Sequence, residues 1–213
     1  PMCADAAGDD AIDRLRAALL AYAGDARLVA VGEIGLDHFV PGLDRDKQAR
    51  LFAAQLRLAA EFALPVLLHV RSAIDTVLKQ LRQRPVPGGI AHAFNGSVQQ
   101  AEAFTSLGLR LGFGGALTFE RALRIRRVAT AVPLGAIVME TDAPDIAPQW
   151  LYRTAEQRAA GAVMRNTSAE LPAIGAALAA LRGMEVDALA AATRANAMAS
   201  LPKLALPNEV LHS

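Results

Sequence analysis

The feature that most constrains this chain is a rhythm: short apolar runs alternate with longer amphipathic stretches along nearly its whole length. Apolar residues at Ile12, Leu15, Leu19 and Tyr22 predict a helix over Asp9–Ala23. A β-rich run, Arg27–Ile34, follows and ends in Gly-Glu-Ile-Gly. Helical spacing returns over Asp46–Phe62, then a short buried strand over Pro65–Val70. Ser72 with Asp75 reads as a capping box opening a helix to about Arg84. Gly89–Phe94 is the next strand, and Ser97 caps a helix ending at Leu107, with Gly108 as its left-handed stop. Strands over Leu109–Phe113 and Gly135–Glu140 flank an Arg-rich helix, Phe119–Ala131. A Pro-rich loop (Pro144, Pro148) leads to helices over Ala169–Leu181 and Val186–Leu201.

Five strands, each followed by a helix or a loop into one, predict an α/β fold with a parallel sheet. The strands are apolar throughout, as expected where both sheet faces are covered. No linker or low-complexity stretch divides residues 1–213, so one domain is the expectation. Five βα units do not close a barrel, which takes eight and about 250 residues. An open doubly wound sheet and a barrel lacking its first three units both fit the rhythm.

Composition narrows the function classes. The chain is 53% apolar and 20% charged, which suits a large core and excludes disorder. The longest apolar runs, Leu64–His69 and Leu134–Met139, fall far short of the roughly 18 residues of a membrane span. No signal-peptide pattern opens the chain. Its single cysteine, Cys3, cannot form an internal disulfide, and a cytoplasmic location is expected. A net charge of +1 offers a polyanion no strong field, so nucleic acid would need a local patch. Of 22 basic residues 19 are Arg, a skew that suits bidentate phosphate contact and equally suits a compositional bias.

Four residues carry the candidate chemistry: Glu33, His69, His92 and Asp142, each placed at the C-terminal end of an apolar strand. In parallel α/β folds those ends form the active-site face. Two imidazoles and two carboxylates suit zinc, manganese, iron or nickel better than calcium. Singly, each histidine also reads as a hydrogen-bonded interior residue and each acid as an ion-pair partner. Their coincidence at four of five strand ends favours a metallohydrolase over a structural domain.

The segments Val31-Gly-Glu-Ile-Gly-Leu-Asp37, Leu64-Pro-Val-Leu-Leu-His-Val-Arg71, Ile90-Ala-His-Ala-Phe-Asn-Gly-Ser97 and Met139-Glu-Thr-Asp-Ala-Pro144 resemble the successive signature blocks of the TatD family. Gly112-Phe-Gly-Gly115, Arg165-Asn166 and Thr193-Arg-Ala-Asn196 are similar to it as well. The resemblance implies a TIM (β/α)8 barrel of the metal-dependent hydrolase type, here reduced to about five C-terminal βα units. It implies two divalent metal ions (Mg, Mn or Zn) and hydrolysis of phosphodiesters, usually in DNA. Glu33 would bridge the metals, with His69 and His92 completing the second metal's ligands. Asp142 would bind the first metal and serve as general base, and Arg71 would hold a phosphate. An ion pair is the other reading of Arg71.

The chain departs from the family pattern in one respect that matters. The family's first strand carries a His-x-His pair, and none occurs here. Pro1 looks like the proline that follows the family's third strand, which makes the five strands the fourth to eighth. The first metal then keeps only Glu33 and Asp142. Asn166-Thr-Ser departs from the proline usual after that Asn and reads as loop variation. His38 reads as a surface-loop residue or as a substrate contact. The cluster Arg121, Arg124, Arg126 and Arg127 reads as a solvated helix face or a nucleic-acid contact. The glycines at 112, 114 and 115 allow tight turns or cradle phosphate. His212 is expected to be disordered. Two rivals to a DNase stay open: an amidohydrolase-type enzyme on a small-molecule amide or ester, and an inactive barrel fragment.

Overall fold

In the computed structural model, residues 3, 4 and 6–204 are described; Pro1 and His212 lie outside them. The chain divides into two compact units: residues 1–90 with 197–213, and residues 91–196.

The first unit opens with α1 (Ala11–Ala21), β1 (Val31–Asp37), α2 (Arg45–Glu61), β2 (Val66–Arg71) and α3 (Ile74–Gln83). β1 and β2 pair in parallel, with Gly35, Leu36 and Asp37 opposite His69, Val70 and Arg71. Val66 N donates to Gly88 O at 3.0 Å, which continues the order to β3 (Gly89–Ala91). α2 buries Gln48, Phe52, Leu56 and Ala59, one face at helical spacing, and packs on β1. Leu36, Phe52, Leu56, Leu64 and Leu68 are almost wholly inaccessible and form its core.

β3 runs across the division, and the second unit continues with α4 (Val98–Ser106), β4 (Leu109–Phe113), α5 (Leu123–Ala131) and β5 (Ile137–Met139). α6 (Ala155–Ala159), α7 (Leu171–Arg182) and α8 (Val186–Ser200) follow, α8 ending past the division. The strand order here is β3-β4-β5, with β4 and β5 parallel. Phe104, Leu111, Phe113, Leu117, Ile137 and Leu178 are its buried centre. Asn196 ties α8 to the strand region, donating at 2.8 Å to Leu134 O and Ile137 O.

The α/β alternation is the one expected, with local corrections. The strand expected over Gly89–Phe94 stops at Ala91, and the one expected from Gly135 opens as a 3-10 turn over Leu134–Ala136 and pairs only over Ile137–Met139. The run expected as a strand from Arg27 instead opens as a turn. Asp25 accepts from Arg27 N at 2.8 Å and Asp25 O from Leu28 N at 3.0 Å, so β1 starts at Val31 and reaches Asp37. Ser72 does not cap α3: it takes a left-handed backbone (φ 55°) and the helix starts at Ile74 without a side-chain cap. The Arg-rich helix begins at Leu123, because Gly115–Thr118 first makes a 3-10 turn. Ser97 and Gln100 do form a complete capping box, with the helix ended by Gly108 at φ 80°. No helix among the described residues is long and apolar enough to cross a membrane.

Candidate metal centre

Glu33 is not at a strand end. It is the third residue of β1, where the pairing with β2 slips: Val31 faces Val66, yet Ile34 already faces Leu68. Gly32 and Glu33 together oppose one residue, a bulge that re-aims a side chain. A Cβ on Gly32 would crowd the Leu67 side chain, so the bulge needs glycine there. Gly35, at φ 142°, lies against the backbone of His69, with no room for a Cβ. The strand continues past Glu33 because these glycines let β1 close tightly on β2.

His69 also lies inside its strand, and both its ring nitrogens face carboxylates. Nδ1 is 2.8 Å from Glu33 Oε1 and Nε2 is 3.1 Å from Asp37 Oδ2. Asp37 is fully buried and is a hub. Its Oδ1 accepts from Phe39 N at 2.9 Å and from Val40 N at 3.2 Å, and Arg71 Nη1 lies 4.0 Å from its Oδ2. Gln48 clamps its backbone from α2, accepting from Asp37 N at 2.9 Å and donating to Asp37 O at 3.1 Å. Burial pushes the Asp37 carboxyl up, but the two backbone N–H groups and His69 outweigh it and hold it below the ordinary value. An ionised Asp37 accepts a hydrogen bond from the His69 Nε2–H, which assigns that tautomer and turns the Nδ1 lone pair toward Glu33. Two acceptors at 2.8 Å are stable only with positive charge between them, a proton or a metal ion. Nitrogen and carboxylate donors on one edge fit a divalent transition metal.

His92 and Asp142 are held differently, on loops. His92 follows β3 directly, and Asp142 stands three residues beyond β5. Both loops have left-handed turns, at Ala93 (φ 46°), Asp142 (φ 55°) and Ile146 (φ 45°). His92 Nδ1 is 3.7 Å from Asp142 Oδ1. Polar clamps hold the two loops. Glu140 accepts from Ala93 N at 2.5 Å, beside His92. Buried Asn166 donates to Thr141 O at 2.5 Å and Asp145 O at 2.7 Å, on either side of Asp142. The glycines at 112 and 114 leave the space that Glu140 fills: a Cβ on Gly112 would collide with its carboxylate. Gly115 lies against the Ile146–Pro148 backbone. These glycines serve packing around Glu140 and its loop.

The structure thus brings Glu33 to His69 and His92 to Asp142. Arg71 ends β2, half-exposed, its guanidinium 3.9 Å above the Phe39 ring. His38 is partly buried; its N donates to Arg71 O at 2.9 Å and its O accepts from Arg45 at 3.2 Å. Burial first and Arg45 second lower its pKa, with Asp37 opposing them. In the Arg cluster, Arg126 donates to Leu117 O at 3.1 Å, and Arg121, Arg124 and Arg127 are exposed. Sequence reasoning assigned no role to Asp37, Gln48 or Glu140. Both Asp37 and Glu140 lie inside the signature blocks, Asp37 four residues from Glu33 and Glu140 two from Asp142, and that proximity to a candidate ligand was the available signal. Gln48 had none.

Residues 1–201 match the family described as TatD related DNase. The uncharacterized metal-dependent hydrolase YjjV of Escherichia coli is 44% identical over 122 residues, 57% of this chain and 47% of YjjV. A Klebsiella pneumoniae protein named 3'-5' ssDNA/RNA exonuclease TatD is 38% identical over 182 residues, 84% of this chain and 67% of that protein. The crystal structure of YjjV, described as a TatD homolog, superposes with a TM-score of 0.81 at 34% identity, covering 92% of this chain and 71% of that one. In sequence, the match spans about half the length of YjjV.

Proposed function

The chain belongs to the TatD family, and from that premise we propose that it hydrolyses phosphodiester bonds in single-stranded nucleic acid, DNA foremost, in the cytoplasm. Its proposed metal ligands are Glu33, His69, His92 and Asp142, which would hold two divalent ions. One observation carries the reading: His69 Nδ1 and Glu33 Oε1 face each other at 2.8 Å, while ionised Asp37 holds the opposite ring nitrogen. That arrangement supports a cation shared by the two groups. Bound divalent metal supplies positive charge that offsets the phosphate's negative charge and acidifies water.

The protein's own groups do the rest. Asp142 accepts the proton of the attacking water at a carboxylate oxygen, with His92 Nδ1 3.7 Å from its Oδ1. Arg71 contacts a non-bridging phosphate oxygen through its guanidinium fork. Asp37 keeps His69 in the tautomer whose Nδ1 lone pair faces Glu33. A K. pneumoniae relative named for 3'-5' action on ssDNA and RNA supports the substrate class.

The test measures metal content and cleavage of a labelled single-stranded oligonucleotide with Mg2+, Mn2+ or Zn2+ added in turn. Metal-dependent cleavage, lost in His69→Ala and Asp142→Asn, is expected. Metal binding without cleavage of DNA, RNA or a simple phosphodiester would overturn the nuclease reading and move the enquiry to amide and ester substrates.

A further inference from the structure

Phe39 is the large apolar side chain that stands out beside the proposed centre. It is 62% exposed, yet its place is built. Its N–H is held at 2.9 Å by Asp37 Oδ1, the carboxylate that also holds His69. The preceding residue is pinned to the end of β2 by His38 N to Arg71 O at 2.9 Å. The Arg71 guanidinium covers part of the ring at 3.9 Å, and most of the side chain stays open to solvent. His69 and Arg71 are two apart on one strand and therefore share a face. An aromatic face, a guanidinium and a metal-binding imidazole thus follow one another over a short stretch of surface.

Each part matches a part of a nucleotide. Bases stack on exposed aromatic rings, and Arg pairs with phosphate while stacking on the same ring. We infer that the Phe39–Arg71 stack is a subsite for one unpaired nucleobase and its adjoining phosphate, placed next to the bond that is cut. This rests on the phosphodiesterase reading and deepens it. Bases in a duplex are stacked on one another and present no free face, so the subsite favours single strands over duplexes. Stacking is tolerant of base identity, so the subsite recognises a base without choosing which.

The experiment compares a fluorescein-labelled oligothymidylate with a strand of equal length whose sugars carry no bases. Binding is followed by anisotropy in EDTA, and cleavage separately with metal. The protein is expected to prefer the base-bearing strand about tenfold in affinity, on the scale of one stacked base. Phe39→Ala brings that ratio to about one, Phe39→Trp restores it, and Arg71→Lys weakens both strands. An unaltered base preference in Phe39→Ala overturns the inference. Equal cleavage of both strands by the unsubstituted protein also overturns it and leaves the phosphodiesterase reading standing. Cleavage of neither strand, with metal bound, sinks that reading and the subsite with it.

Discussion

The pair Glu33–His69 and the pair His92–Asp142 bring similar donor groups together by different means. The first is built into strands. A bulge aims Glu33, ladder register places His69 beside Gly35, and one buried carboxylate, Asp37, locks the imidazole. The second hangs on loops with left-handed residues, and single side chains reach across to hold the loop backbone: Glu140 on Ala93, Asn166 on Thr141 and Asp145. A strand position comes with its ladder hydrogen bonds, so only the ring's rotation and tautomer remain to be set. A loop position has no ladder, so its main-chain groups need partners of their own.

The two designs differ in where they break. Asp37→Ala should have the largest effect, since one carboxylate serves His69, Phe39 and Val40. Divalent-metal affinity is expected to fall about 10–100-fold, as for other partners of metal-binding histidines. Unfolding free energy should fall by about 3 kcal/mol, because the partly buried Phe39 and Val40 N–H groups and the His69 ring lose an ionised acceptor. Calorimetric titration and urea unfolding measure the two, and unchanged metal affinity would mean that strand geometry alone holds His69.

Asn166→Ala tests the loop design. Removing the donor that serves Thr141 O and Asp145 O should cost about 2 kcal/mol. That lowers the melting temperature by about 4–8 °C for a chain of this size. The His69 imidazole NMR signals should stay in place, and their movement would dissolve the distinction between the pairs. Gly112→Ala sharpens it further. The new Cβ displaces Glu140 from Ala93 N, so His92 signals should shift at a stability loss of about 1 kcal/mol.

The smallest effect belongs to a carboxylate in neither pair. The carboxyl of partly buried Asp25 is lowered to about 2, first by its side-chain bond with Arg27 and then by the Arg27 backbone N–H. Because the folded value is depressed, its contribution is present above the unfolded pKa of 3.8 and is lost as pH falls through about 2. Arg27→Ala should return the carboxyl toward 3.8 in an NMR titration, with little change in unfolding at neutral pH.

Much of this was legible in the chain. Apolar runs and helical spacing placed all five strands and most helices, and the Ser97 capping box was readable because its partners are three residues apart. The four candidate ligands stood out because acids and imidazoles are rare in apolar runs. Less legible was the position of Glu33 within its strand, since a bulge depends on what Gly32 meets across the ladder, the Leu67 side chain. Ser72 looked like a cap because the residue pattern allows one; the left-handed backbone that prevents it comes from how β2 leads into α3.

The sequence by itself determined the α/β alternation, the family and the residues able to carry metal chemistry, because periodicity and residue type are local properties. Only the tertiary structure decided that Asp37 backs His69 from 32 residues away, and that Gly112 makes room for Glu140. It alone showed that Asn166 holds the loop around Asp142. The physical reason is common to all three. A buried carboxylate or amide is stable only where distant backbone and side-chain groups converge on it, and packing creates that convergence.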